Sequence, residues 1–318
     1  MTDDFPVEVT RAHDTWHASP RGAHPSARLL EWYAAGKPLP EGLRWQRGSR
    51  EPEPAGDRER SIDVDQTNAS VIVDDRVVVK WMTGPLAGPH PAPERLGLLI
   101  ERGFTAMPAV WFVLEWRTPE GHWVPVATAT DLVRDATDGW TWCLHEARVA
   151  LGVDEGPPLP FATRLGELTA AMHLALVDDE GLVAGHGDFH VGQVLRDGDG
   201  RLFVIDFDGN PTLSAEERAA HRPAAYDVAG MLLSLENIGH VLRHYAPEVT
   251  EDAVIAWTEQ VQGDYLAAYR RTAGDLLDEA LLPAYVDDQI QRELDYADHH
   301  LPRWRYVPEA ALRRRGKR

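Results

Sequence analysis

His186-Gly187-Asp188-Phe189-His190-Val191-Gly192-Gln193 is followed, thirteen residues after Gln193, by Asp206 in Val204-Ile205-Asp206-Phe207-Asp208. The stretch sets out a carboxylate, a side-chain amide five residues later and a second carboxylate beyond a short hairpin. Phosphoryl transfer from a nucleotide to an alcohol asks for those groups. One must hold the attacking hydroxyl and take its proton late, and oxygen donors must hold the metal that neutralises the phosphates. Asp188 is the candidate base. Gln193 and Asp206 are the candidate ligands of Mg2+, a cation that takes a few protein oxygens and fills its shell with water and phosphate. Alone, Asp188 would read as a turn residue after Gly187; the offsets of Gln193 and Asp206 argue against that. Asp208 keeps three readings: a second metal, the acceptor, or a structural residue.

Around this stretch the pattern separates into two halves. Gly192–Leu195 and Leu202–Ile205 are the only strong strand signals after residue 140, joined by the turn Arg196-Asp197-Gly198-Asp199-Gly200. The rest of that half is helical: Leu165, Leu168, Met172 and Ala175 recur at helical spacing, as do Val228, Met231, Leu232 and Leu235. Val254, Trp257, Val261, Tyr265 and Ala268 form a third stripe. From 61 to 135 the signals are strands: the hairpin Val71–Val73 and Val77–Trp81, then Ala109–Trp116 and Trp123–Ala129, with a helix over 92–102 between the pairs. Residues 1–60 are rich in Pro, Gly and Arg, with a helical patch at Ala27–Tyr33 and a loop or linker at Gly48–Asp57.

The strand lysine Lys80 is placed to point across phosphates and to pair with a helix carboxylate, Glu94 first and Glu101 second. No G-x-G-x-x-G loop is present; the turn Asp65-Gln66-Thr67-Asn68-Ala69-Ser70 stands in its place, with Asn68 and Ser70 as small polar groups for the phosphates. Thr130-Asp131-Leu132-Val133 marks the junction of two lobes, where the backbone of Asp131 and Val133 would meet the adenine edge. Asp227 opens a helix and reads as a brace of the catalytic loop. His186 and His190 admit a metallohydrolase reading, but no further ligand cluster accompanies them. His186 reads better as a buried organiser of the loop, and His190 faces either the loop or the acceptor.

Composition sets the limits. The 318 residues carry a net charge of −19, which disfavours nucleic-acid binding and tolerates a cationic substrate. The tail Arg313-Arg314-Arg315-Gly316-Lys317-Arg318 is expected to be a solvated, frayed end. The 11 Trp either fill a core or line a sugar site. A single cysteine, an acidic first stretch and no apolar run near the ~20 residues of a membrane span point to a cytoplasmic protein without membrane contact.

Together these residues resemble the aminoglycoside phosphotransferase superfamily, and more closely its actinobacterial maltokinase-like group. The likeness rests on Asp65–Ser70, Asp138-Gly139-Trp140, the His186–Gln193 motif with Gln in place of the usual Asn, Asp206–Pro211 and Asp227–Met231. It implies an α+β, bilobal protein-kinase-like fold: a cap over 1–60, a β-rich nucleotide-binding lobe over 61–135 and a helical lobe with the acceptor site over 136–318. The chain departs from maltokinases in being much shorter, in Asp208 and Asn210 where those enzymes usually carry Glu, and in Asp298–Tyr306. With these departures it is similar to the actinobacterial glucosamine kinases. That resemblance implies ATP and Mg2+ as cofactors, transfer to the 6-hydroxyl of D-glucosamine, and an acceptor site drawn from Asp188, His190, Asp208, Glu293, His300 and Trp304. Maltose and aminoglycosides are the alternative acceptors, and a monomer and a homodimer are both compatible with the sequence.

Overall fold

The computed structural model describes residues 4–54, 56–62, 68–299 and 301–316. The chain divides into two units, one made of Met1–Arg134 with Phe207–Ala220, the other of Asp135–Asp206 with His221–Arg318.

In the first unit, β-branched runs and short turns produce strands. A hairpin, β1 (Val7–Ala12) and β2 (Thr15–Pro20), leads into α1 (Pro25–Ala34), β3 (Leu43–Arg47) and β4 (Glu59–Ser61). Next come β5 (Ala69–Val73), β6 (Val77–Trp81), α2 (Pro91–Glu101), β7 (Val110–Arg117) and β8 (Trp123–Asp131). Six of these strands form one antiparallel sheet in the order β3-β7-β8-β6-β5-β4. The four strands and one helix expected over 61–135 are all present. The segment before them is more ordered than its composition suggested, because β3 and β4 extend the sheet at both edges. The β1–β2 turn is His13-Asp14, both with positive φ (47° and 68°), so the chain builds a two-residue hairpin without the Asn-Gly signal that usually betrays one. Phe5, Leu29, Leu30, Trp81, Trp111 and Phe112 are core residues here, and Trp16, Trp32, Trp45 and Trp116 pack against that core.

The second unit is helical around one small hairpin. It contains α3 (Gly139–Ala150), α4 (Phe161–Leu176), the hairpin β9 (Val194–Arg196) and β10 (Leu202–Val204), α6 (Ala225–Tyr245), α7 (Glu251–Ala273), α8 (Leu282–His299) and α9 (Tyr306–Gly316). A short helix α5 (Ala215–Ala219) belongs to the first unit. Through Gly316, the last described residue, the basic tail is not the frayed end its charge suggested. Arg314 lies 3.5 Å from Glu236 and 3.2 Å from Glu259, and Arg315 lies 3.5 Å from Glu236 and 3.1 Å from Asp287. Glu236 is buried in α6, so the arginines pair a carboxylate that would otherwise be costly to desolvate. Burial would raise the Glu236 carboxyl, but His240, 3.5 Å away, and the charges of both arginines bring it below the ordinary value.

Candidate active site

The catalytic hairpin meets the loop through one backbone bond. β9 and β10 pair Val194 with Val204, and one step outward the Ile205 N–H donates to the Gln193 carbonyl at 3.0 Å. Gln193 and the next residue, Asp206, therefore stand at the same end of the hairpin. Asp206 has a left-handed backbone, φ 65°, a conformation that Asp tolerates better than most side chains and that is held only where surrounding structure dictates it. The two expected metal ligands form an oxygen-only set, a carboxylate and an amide, which suits Mg2+ rather than a softer metal.

The loop that leads into Gln193, His186–Gly192, is clamped from four sides. Asp227, in the first turn of α6, accepts the N–H of His186 at 2.6 Å and of Gly187 at 2.8 Å, and lies 3.3 Å from His173. Burial would raise its carboxyl, but the His173 hydrogen bond, the histidine charges and the Gly187 N–H outweigh that and hold it below the ordinary value. The expected brace is thus in place. His186 is fully buried and its Nε2 donates to the Ile205 carbonyl at 2.8 Å, which spends it inside the loop. His190 accepts the Gly192 N–H through Nδ1 at 3.1 Å, so of its two expected roles the loop claims one ring nitrogen. Ser234 of α6 accepts the Val191 N–H at 3.0 Å. The start of α3 presses on the same loop: a Cβ on Gly139 would lie 1.6 Å from the Val191 carbonyl oxygen. This close approach is why the Asp138-Gly139-Trp140 segment has glycine at its centre.

The remaining described acceptor candidates of this unit are Glu293 and Trp304. Glu293, on the inward side of α8, receives the Asn237 amide at 2.9 Å and a hydrogen bond from Gln289. Desolvation, reinforced by the negative charge of Asp188, pushes its carboxyl up to about 7 against those hydrogen bonds and the charge of Arg292. Trp304 packs edge-to-face on Trp140 at 5.4 Å and 87°, and Trp140 in turn lies 6.5 Å from the His190 ring. Most of the tryptophans lie in or against cores, and Trp140 and Trp304 lie beside the loop. His300 lies outside the described residues, as do Asp65, Gln66 and Thr67 of the expected phosphate turn.

In the first unit Lys80 Nζ lies 2.7 Å from Asp208 Oδ2, and Asn68 Nδ2 donates to the same oxygen at 3.2 Å. Asp208, expected at the acceptor, thus has nucleotide-side partners. Burial would raise its carboxyl; the charge of Lys80, with His90 and Arg218, holds it low. Glu94 stands exposed in the first turn of α2. Ser70 is buried and paired in register with Lys80 across β5 and β6. Asp131 gives its N–H to the Ala109 carbonyl, and its carboxylate accepts the Trp111 indole at 2.7 Å. The Asp131 N–H is thus used within the sheet, and Val133 lies past the end of β8.

Sequence reading passed over four residues. Arg95 of α2, nearly fully buried, donates to the carbonyls of Phe207 and Arg218 at 2.8 Å each and ties the segment after Asp206 to that helix. His90 caps α2 by accepting the Ala92 N–H. Burial, with the charges of Arg218, Lys80 and Arg95, pushes it down to about 4 against the pull of Asp208. Ser234 and Asn237 sit in a run of apolar helix positions and carry no local signal.

The model of the phosphotransferase enzyme family matches residues 120–280. A glucosamine kinase of Mycolicibacterium smegmatis is 37% identical over 317 aligned residues, covering 80% of this chain and 78% of its own. One from Streptacidiphilus jiangxiensis is 38% identical over 324, covering 80% and 72%. The solved structure of a glucosamine kinase in complex with glucosamine, ADP and inorganic phosphate superposes with a TM-score of 0.81 at 32% identity, covering 96% of this chain and 89% of that one.

Proposed function

Because the chain belongs to the phosphotransferase enzyme family, alongside its glucosamine kinases, we propose that it transfers the γ-phosphoryl group of Mg-ATP to the 6-hydroxyl of D-glucosamine. Asp188 accepts a hydrogen bond from that hydroxyl. As the new O–P bond forms and the bond from phosphorus to the bridging oxygen of ADP breaks, the hydroxyl proton passes to the Asp188 carboxylate. Gln193 and Asp206 would hold Mg2+, whose charge, when bound, offsets that of the phosphates. Lys80 is assigned to the phosphates with Glu94, Asn68 and Ser70 in support. Asp208 is its resting partner, and Val133 is the adenine contact. Trp304 would offer a flat face to the sugar, and His190 and His300 are assigned to the acceptor. An ATP-consuming step on a free sugar sets the enzyme in the cytoplasm.

The observation that carries the reading is Glu293. A half-buried carboxylate, held by Asn237 and Gln289 within electrostatic reach of Asp188, is costly for the empty protein and is repaid by a cationic acceptor. The amine of an amino sugar supplies that cation; glucose and maltose do not. The test is ADP release from Mg-ATP with glucosamine, glucose, N-acetylglucosamine, maltose and kanamycin. Preference for glucosamine over glucose and N-acetylglucosamine supports the reading. Preference for maltose or kanamycin refutes it.

A further inference from the structure

Asn237 lies in the middle of α6, 2% exposed, and its side chain is only half accounted for. Nδ2 donates to Glu293 Oε2 at 2.9 Å. Oδ1 is buried and has no hydrogen-bond partner among the described residues. The amide orientation follows from its neighbour: reversed, it would set two acceptor oxygens 2.9 Å apart against an ionised carboxylate. A buried acceptor left open is uncommon, because desolvating it without a partner costs as much as breaking a hydrogen bond. One next to a carboxylate whose own oxygen is fixed by the same amide has a chemical meaning. The two acceptors, one charged and one neutral, match a donor that is cationic and has several N–H groups. A hydroxyl brings one hydrogen and lone pairs of its own, and fits such a pair poorly.

We propose that Asn237 is the residue that makes the acceptor site selective for an ammonium group, its Nδ2 fixing Glu293 and its Oδ1 accepting one N–H of the bound amino sugar. This rests on the reading of the chain as a glucosamine kinase. Asp188 and Arg292 are the charged groups that bear on Glu293 from the catalytic loop and from α8 itself, and Gln289 is its other neutral partner. None of them replaces the function of Asn237: the Gln289 oxygen already accepts from Arg292, Arg292 has no acceptor, and Asp188 is assigned to the attacking hydroxyl.

The test is steady-state kinetics of the wild type, Asn237→Ala and Asn237→Asp with glucosamine and with glucose across pH, with the KM for ATP measured alongside. Asn237→Ala is expected to raise the KM for glucosamine about tenfold. Its kcat/KM for glucose should stay within about twofold, and the KM for ATP should not move. Asn237→Asp keeps an acceptor oxygen but loses the donor to Glu293. Its rise of kcat/KM for glucosamine with pH should therefore be displaced to higher pH, with the KM recovering only there. If both variants keep the wild-type preference for glucosamine over glucose within about twofold, Asn237 is a packing residue and the inference fails. Should Asn237→Ala not fold, the pH displacement in Asn237→Asp decides alone. A wild type that turns over maltose or kanamycin but not glucosamine overturns the proposed function, and this inference with it.

Discussion

Glu293 should make the empty protein less stable as pH rises, and Glu293→Gln should remove that loss. Its carboxyl is pushed from the ordinary 4.5 up to about 7 in the folded chain. Between those values the folded state holds a proton that the unfolded state has released, so stability falls as pH climbs through the window. The penalty is absent below about pH 4.5 and complete above about pH 7. A difference of about two and a half units corresponds to about 3 kcal/mol, an upper figure for the carboxylate at pH 8. Gln cannot ionise, and its oxygen can still accept from Asn237. Glu293→Gln should therefore match the wild type near pH 5 and exceed it at pH 8. At about 2 °C per kcal/mol for a chain of this size, the gain in Tm is at most about 6 °C. Thermal melts of both proteins at the two pH values measure it, and repeating them with glucosamine adds the functional half. The sugar should stabilise the wild type at pH 8 and have little effect on the variant. A variant with the same Tm offset from the wild type at both pH values would show that Glu293 is not a strained carboxylate, and the electrostatic case for a cationic acceptor would fall.

Asp188→Asn should lower kcat by about a thousandfold while leaving the KM for ATP near the wild-type value; near-normal turnover would remove Asp188 as the base. Gly139→Ala would drive a Cβ to 1.6 Å from the Val191 carbonyl, so the loop or α3 must shift. A loss of at least about 2 kcal/mol in denaturant melts, with a fall in kcat, is expected, and an unchanged pair of values would contradict the packing. Replacing Arg314 and Arg315 together by Ala should cost about 3 kcal/mol, because Glu236 would remain buried without its cations. A truly frayed tail would give no change in the melt.

What was legible in the sequence was what is local. The catalytic motif, its hairpin and the strands from Ala69 to Asp131 depend on spacing within a few tens of residues, and turn chemistry announces most of them. Glu293 was legible too, as an acceptor candidate. The hairpin β1–β2 was not, because His13-Asp14 makes a positive-φ turn from residues that seldom signal one. The tail was misread because a run of arginines looks solvated until its partner is known, and Glu236 is supplied by another helix. The position of Asp208 depended on Lys80 from far earlier in the chain. Polar residues inside apolar helical runs, such as Ser234 and Asn237, acquire meaning only from partners that no spacing rule predicts.

Those two residues belong to a longer series. Asp227, Gly230, Ser234 and Asn237 recur at steps of three and four along α6, which places them on one face of the helix. In that order they hold the amides of His186 and Gly187, admit the Phe189 carbonyl so closely that a Cβ on Gly230 would stand 2.7 Å from it, cap the Val191 amide and fix Glu293. A helix of 1.5 Å rise per residue is stiff over the span from Asp227 to Asn237, whereas the loop that carries Asp188 has little regular structure of its own. The separation between the proposed base and the carboxylate proposed to read the amine is therefore set by α6, with both anchored to the same rod. That arrangement suits a transfer in which the amine is bound at one point and the hydroxyl must arrive at another in line for attack. An error of an ångström in that span would be felt in the rate rather than in binding.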